Sequence, residues 1–332
     1  SPQKGGLTMT EDEFRALAEA LRLSAGLAAK RDIATVAEGL DLNRQSVTVG
    51  DDCAAIPDGD GYLLFAIEGF MNEFVAGDPW FAGWCGVMVN LSDIAAMGGR
   101  PMAVVDAIWA SGADGAQPVL AGLAAASKAF GVPVVGGHTN LKTDRGQLSV
   151  AVLGRAKRLL TSFDARPGEA LIAVIDHRGS YREPFNNWQA ATTAPTERLR
   201  GDLDLLPQIA EAGWSRAAKD ISQGGLVGTA IMLAECSGVG ITIDLDRIPL
   251  PAGVMLARWL ATFPSYGYLL SVPEAHVDSV LSLFAARDLA AAVVGNIEAG
   301  SRVTVVSTVG QAIIRDHAAE PLMLFRRQEV GE

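Results

Sequence analysis

The segment DPWFAGWCGVMVNLSDIAAMGG, residues 78–99, constrains this chain more than any other. It carries its own helix boundaries: Asp78 suits an N-cap, Pro79 the first helical position, and Gly98–Gly99 the stop. Residues 87–89 and 94–97 are apolar, which leaves little of the helix for solvent. Yet Asn90 and Asp93 share one face of it, with Met97 a turn further on.

The helix sits in an alternation of short apolar runs and helical patterns that begins near residue 46. Strands are expected at 46–49, 62–67 (YLLFAI), 102–110, 132–137 and 147–156, and a helix at 117–131 that stops at a glycine. A Pro-Gly turn in ARPGEALIAVID marks a boundary near residue 163. Beyond it the pattern predicts a strand within 165–176, a helix near 202–212, a short strand and glycine turn feeding a helix over 217–240, and strands at 267–272, 290–297 and 302–307, with a helix between the first two. The expected division is a helical segment over 1–45, an α/β unit over 46–162 and a second over 163–332. Met9 is a candidate start, and residues 1–8 are left open.

Composition excludes several classes. At 49% hydrophobic and 332 residues the chain has ample apolar content for two cores. No apolar run reaches the roughly 18–20 residues of a membrane span, and the first residues lack a secretory h-region, so a cytoplasmic protein without a membrane partner is expected. Cys53, Cys85 and Cys236 are scattered and odd in number, which fits buried thiols rather than disulfides or zinc. A net charge of −11 without a basic stripe argues against nucleic acid. Nucleotides remain open, because Mg2+ can sit between carboxylates and a polyphosphate.

The acids themselves point that way. Asp51 and Asp52 follow Gly50, Glu68 ends an apolar run, Asp93 lies on the apolar helix, and Asp220 ends AAKD just before ISQGG. A single acid in such a position reads most simply as a solvated side chain. Several, each flanked by apolar or glycine residues, fit divalent-metal ligation better, since an unpaired buried carboxylate is costly. The glycine turns VVGGHTN (134–140) and DISQGG (220–225) follow strands, where backbone N–H groups can meet phosphate oxygens. Neither is a Walker loop, and no GxGxxG follows the first strand.

GDDCAA, NLSDIAAMGGRPMAV, VVGGHTN, DISQGGL and AECSGVGITID, in this order, resemble the superfamily of aminoimidazole ribonucleotide (AIR) synthase, thiamine-monophosphate kinase, selenophosphate synthetase and the hydrogenase-maturation carbamoyl dehydratase, from about residue 46 to the C-terminus. The resemblance implies an α/β (α+β) fold of two domains. The N-terminal domains would pair into a β-barrel across a homodimer, the C-terminal domain would form an α/β sandwich, and ATP with Mg2+ would occupy the cleft. The implied metal ligands are Asp51, Asp52, Glu68 (where relatives usually carry Asp), Asp93 and Asp220. ATP contacts are expected from Asp52, Asn90, Gly136, Gly137, Thr139, Ser222 and Gly224, and catalytic roles from His138 and Asp220. His138 reads equally as a general base or a hydrogen-bond donor on the phosphate side and as a hydrogen-bonded loop histidine.

Departures from each member's own pattern narrow the branch. Thiamine-monophosphate kinases read GGDT where this chain has Gly136-Gly137-His138-Thr139, a second Asp where it has Gln223, and GGEDYEL where it has FPSYGYL (263–269). Selenophosphate synthetases carry a reactive Cys-x-x-Lys where SAGLAAKRDI holds Lys30 and no Cys, and the terminal RRQEVGE lacks the dehydratase's Cys. A divergent AIR synthase-related branch remains. It would phosphorylate an amide, carbamoyl or phosphate oxygen of a small metabolite; the alternatives are a thiamine-monophosphate kinase and a nucleotide-binding regulatory subunit with reduced catalysis.

Overall fold

The computed structural model describes residues 9–264, 267–323 and 325; residues 1–8, part of FPSYGYL and the terminal RRQEVGE lie outside that range. Three helices open the chain: α1 (Glu11–Arg22), α2 (Ala25–Ala29) and α3 (Asp32–Gly39). Thr10 and Glu13 form a capping box that starts α1. A first unit follows, with β1 (Ala54–Asp58), β2 (Gly61–Phe70), α4 (Asn72–Gly77), α5 (Pro79–Ala96), β3 (Arg100–Ser111), α6 (Gly112–Phe130), β4 (Val134–Asn140) and β5 (Lys142–Ala156). Its sheet runs β1-β2-β5-β3-β4, antiparallel except for the parallel pair β3 and β4.

Alternate residues of this sheet divide between two faces. Leu64, Val104, Ile108, Leu148, Val150 and Val152 face α5 and α6 and are buried. α5 and α6 cross at backbone contact: a Cβ on Gly83 would lie 2.1 Å from the Val119 carbonyl oxygen, and one on Gly122 would lie 1.9 Å from that of Trp80. The far side of α5 packs on the second unit, in one core with Leu206, Ile209, Tyr268 and Leu270. Lying between two units explains why this helix is apolar all round.

The second unit contains β6 (Ala170–Ile175), β7 (Ser180–Tyr181), β8 (Asn187–Gln189), α7 (Thr196–Leu203), α8 (Leu205–Ala212), β9 (Ala217–Asp220), α9 (Gly225–Ser237), β10 (Gly240–Asp244), α10 (Leu256–Leu260), β11 (Phe263–Pro264), β12 (Gly267–Val272), α11 (Val277–Ala285), β13 (Ala290–Glu298), β14 (Arg302–Ser307) and β15 (Gly310–Asp316). Seven strands form one sheet, β15-β14-β10-β13-β6-β12-β9, and β11-β8-β7 make a small second sheet. On β6, Ile172 and Val174 face the core shared with α5, while Leu171, Ala173 and Ile175 face the core built on α9. Burial on both faces is why the strand reads as an unbroken apolar run. The opening helices dock on this unit, with Arg22 Nε donating to the Ile313 carbonyl at 2.9 Å.

Several local expectations need correction. No strand occupies 46–49; Val49 instead packs against the second unit's core. The helix expected near 202–212 is two helices meeting at Asp204, and β1, β10, β15 and the small sheet were not foreseen. Asp78 stands at the N-cap of α5, but its carboxylate caps nothing there: it accepts two bonds of 2.9 Å from Arg182 of the second unit. A bidentate guanidinium outcompetes a single backbone N–H.

Candidate functional site

Three carboxylates converge where the two units meet. Asp93 comes from the buried α5, Asp52 from the turn before β1, and Asp220 from the end of β9; one carboxylate oxygen of each lies within 4.8 Å of the others. Gly50 makes the turn possible. Its φ of +111° lies in the left-handed region, and a Cβ there would stand 2.5 Å from Cβ of Phe325.

The triad is electrostatically unbalanced. Burial lifts Asp93 well above the usual carboxylate range, and Asp220, Glu68 and Asp52 lift it further. Burial and Asp52 likewise raise Asp220, against the opposing charge of Lys219. Oδ2 of Asp93 is buried and has no hydrogen-bond partner. Glu68 lies beside the triad on β2, raised by burial and held by a hydrogen bond with the Asp93 carboxyl. Lys30, beyond the end of α2, moderates the charge of Glu68 and Asp220. A partnerless buried oxygen among hard carboxylate donors that repel one another fits a divalent cation of the Mg2+ type.

Asp51 is not brought into the triad. Its oxygens accept the Ser162 N–H at 2.9 Å, the Ser162 hydroxyl at 2.6 Å and the Asp52 N–H at 2.9 Å. Burial and the adjacent Asp52 push its carboxyl up to about 6. It is a second layer behind Asp52 rather than a free ligand. Asp52 in turn accepts from Lys219 Nζ at 2.8 Å.

The expected ATP contacts separate into those near the triad and those away from it. Ser222 lies two residues past Asp220 and presents a buried, partnerless hydroxyl oxygen; Gly224 caps the N-terminus of α9 directly after it. Asn90 is fully buried, and its amide nitrogen donates to the Gly86 and Val150 carbonyls at 2.7 and 2.9 Å. Its face of α5 is turned to the sheet at that point, so it holds β5 in place. Gly136, Gly137 and Thr139 are exposed on the edge strand β4. Gly137 is needed bare because Asp106 Oδ1 would sit 2.0 Å from any Cβ there.

His138 departs most from expectation. It pairs with Ala107 and contacts the Trp109 ring, centroids 6.1 Å apart, on the sheet face opposite α5. Glu68 is on the α5 side, three strands away across β5 and β3, roughly 14 Å at ~4.8 Å per strand. Within one chain the pleat therefore places His138 on the face of the sheet away from the triad. Lys219, Ser162 and Asp106 escaped sequence reasoning. A lysine inside the apolar AAKD run was a visible signal; Ser162, in an unpatterned connection, offered none.

Residues 50–156 match the family profile described as AIR synthase related protein, N-terminal domain, and residues 167–308 match that of the C-terminal domain. The chain belongs to the AIR synthase-related family. A protein of Synechocystis sp. described as uncharacterized is 49% identical over 85% of this chain and 88% of its own length. The thiamine-monophosphate kinase of Pyrococcus abyssi is 28% identical over 77% of this chain and 84% of its own. The structure of T. maritima PurL complexed with AMPPCP superposes with a TM-score of 0.72 at 19% identity, over 95% of this chain and 52% of that one. That likeness shows the AIR synthase-like two-domain fold, and this family member spans about half the PurL chain. Among the described residues, no helix is long and apolar enough to cross a membrane.

Proposed function

We propose that this family member is an ATP- and Mg2+-dependent enzyme that phosphorylates an amide, carbamoyl or phosphate oxygen of a small metabolite. The observation that carries the reading is the buried Asp93 carboxylate, which has one oxygen without a partner and offers a ligand atom within 4.8 Å of those of Asp52 and Asp220. Asp52, Asp93 and Asp220 would hold the cation, with Glu68 beside them. Bound Mg2+ would neutralise triphosphate charge that these acids would otherwise repel.

The chain's own groups supply positioning. The N-terminus of α9 and the Ser222 hydroxyl, close after Asp220 in the chain, would offer donors to phosphate oxygens. Transfer of a phosphoryl group needs alignment and charge neutralisation more than covalent help, and the interface between the two units provides a buried place for both. A search for ADP release across amides, amines and phosphorylated metabolites finds the acceptor. Calorimetric titration tests the site: ATP is expected to bind with Mg2+ and to lose that binding in EDTA, and equal binding in EDTA overturns the reading.

The same reading includes a homodimer. On the sheet face away from α5, the cross-strand rows Phe65–Leu153–Ala103 and Ile67–Ala151–Val105 are apolar, and Phe65 and Ile67 are 54% and 68% exposed. A second copy of this face would cover them, closing two open sheets on each other. Light scattering should give a dimer for the wild type and a monomer for Phe65→Lys/Ile67→Lys; a monomeric wild type overturns this part.

A further inference from the structure

Lys219 is a lysine placed where a globular protein rarely hides one. It lies on β9, directly before Asp220, with its side chain 5% exposed, and it faces an Asp52 side chain that is 7% exposed. Nζ donates to Asp52 Oδ1 at 2.8 Å and to Ser162 Oγ at 3.2 Å. The Ser162 hydroxyl in turn donates a hydrogen bond to Asp51 Oδ1 at 2.6 Å. One ammonium therefore serves two adjacent carboxylates, Asp52 directly and Asp51 through a hydroxyl. The charge of Lys30 acts as well, on Glu68 and Asp220.

This arrangement divides the buried acids into two groups. Asp51 accepts from Ser162, and Asp52 accepts from Lys219 and, at 3.4 Å, from the Asp220 N–H, whereas Asp93, grouped with Asp52 and Asp220, keeps an oxygen without a partner. A compact ammonium with several donors fills the same electrostatic need as a small hydrated cation, but it cannot leave. We propose that Lys219 is a built-in cation standing where a further divalent ion would otherwise bind between Asp51 and Asp52, so that exchangeable metal is confined to the Asp52–Asp93–Asp220 triad. Lys219 acts here as a positioning residue, and the inference rests on the metal-binding reading of that triad. It explains why Asp51 and Asp52 stand side by side although only Asp52 reaches the triad. It also means that Asp52 is oriented before any metal arrives.

The test counts Mn2+ bound per chain by electron paramagnetic resonance without nucleotide, in the wild type, Lys219→Ala and Lys219→Arg. Lys219→Ala is expected to bind one additional Mn2+, and ethylammonium, which restores the missing charge, should displace that ion from the variant while leaving the wild-type count unchanged. Lys219→Arg should keep the wild-type count. Should Lys219→Ala fail to fold in EDTA, Mn2+ or ethylammonium is expected to restore its thermal transition, since either can occupy the vacated place. An unchanged Mn2+ count in a folded Lys219→Ala overturns the proposal, as does a variant that neither cation rescues. A wild type that binds Mn2+, paired with an unchanged variant, removes the role of Lys219 and leaves the triad reading standing. A wild type and a Lys219→Ala that both bind no Mn2+ remove both.

Discussion

Asp93 and Asp176 are hidden to the same degree, 4% and 3% exposed, yet the chain treats them in opposite ways. Asp176, at the end of β6, accepts from Arg178 Nε at 2.9 Å and from Arg198, and its neighbour Asp202 accepts from Arg287 Nε at 2.6 Å. Burial alone would raise the Asp176 carboxyl, but the two guanidinium groups hold it below its ordinary value. Around Asp93 there are instead further carboxylates, and burial and repulsion act together. The difference shows that burial of an acid does not by itself mark a site. What marks it is burial without a cation from the chain, because such an acid is stable only if it is protonated or meets a cation from solution.

The largest effect should come from removing one charge at the unbalanced site. Asp93→Asn is expected to stay folded, to lose at least about a hundredfold in Mg·ATP affinity, about 2.7 kcal/mol, and to form no ADP, because Asn cannot neutralise a hard cation. Affinities agreeing within about threefold, roughly 0.7 kcal/mol, would remove Asp93 from the site and break the comparison.

The same substitution at the balanced site should act on stability and not on ligand. Asp176→Asn leaves Arg178 and Arg198 without their carboxylate and is expected to cost about 2 kcal/mol in urea unfolding; removing a partner from a fully buried pair costs more, but both arginines reach solvent here. Mg·ATP affinity should stay within about threefold of wild type. A variant as stable as wild type would show that the arginine contacts contribute nothing, and the contrast would lose one side.

A smaller effect concerns pH. Asp51, Asp93 and Asp220 have folded values above the unfolded range, so the metal-free protein keeps protons that the unfolded chain releases. The cleft's cost therefore starts near pH 4, grows as pH rises, and for Asp51 levels off at about 6. Asp176 has the opposite sign: its stabilisation is present above the unfolded value and is lost as pH falls through its lowered folded value. Melting temperatures in EDTA and in Mg2+ should diverge by a few degrees as pH climbs from about 4 to 7, with Mg2+ the more protective at the high end. A gap that does not widen with pH contradicts an unbalanced cleft.

Much of the fold was legible before the structure, because its signals are local. Pro79 and Gly98 bound α5, the run 170–175 announces a strand buried on both faces, and Gly50 announces the turn that carries Asp51 and Asp52. The strands that were missed, β1, β7, β8, β10, β11 and β15, have no more than five residues or, like β15, mix polar residues into the run, where periodicity carries little. Of the site, the presence of Asp52, Asp93 and Asp220 was readable from acids at the ends of apolar elements.

Their grouping was decided by tertiary contacts. Asp52 meets Lys219 across 167 positions and Asp51 meets Ser162 across 111, and no local pattern encodes which of two adjacent acids will be claimed by the chain and which left for a cation. The face on which His138 falls depends on the register of β4 against β3, where a one-residue shift exchanges the two sides of the sheet. The sequence by itself determined which groups are costly to bury, since that is a property of each side chain and its immediate neighbours. Only the packing of α5 between the two units decided which of those costs the arginines and Lys219 cancel, because cancellation requires an opposite charge within a few ångströms, and distance in space is what folding alone sets.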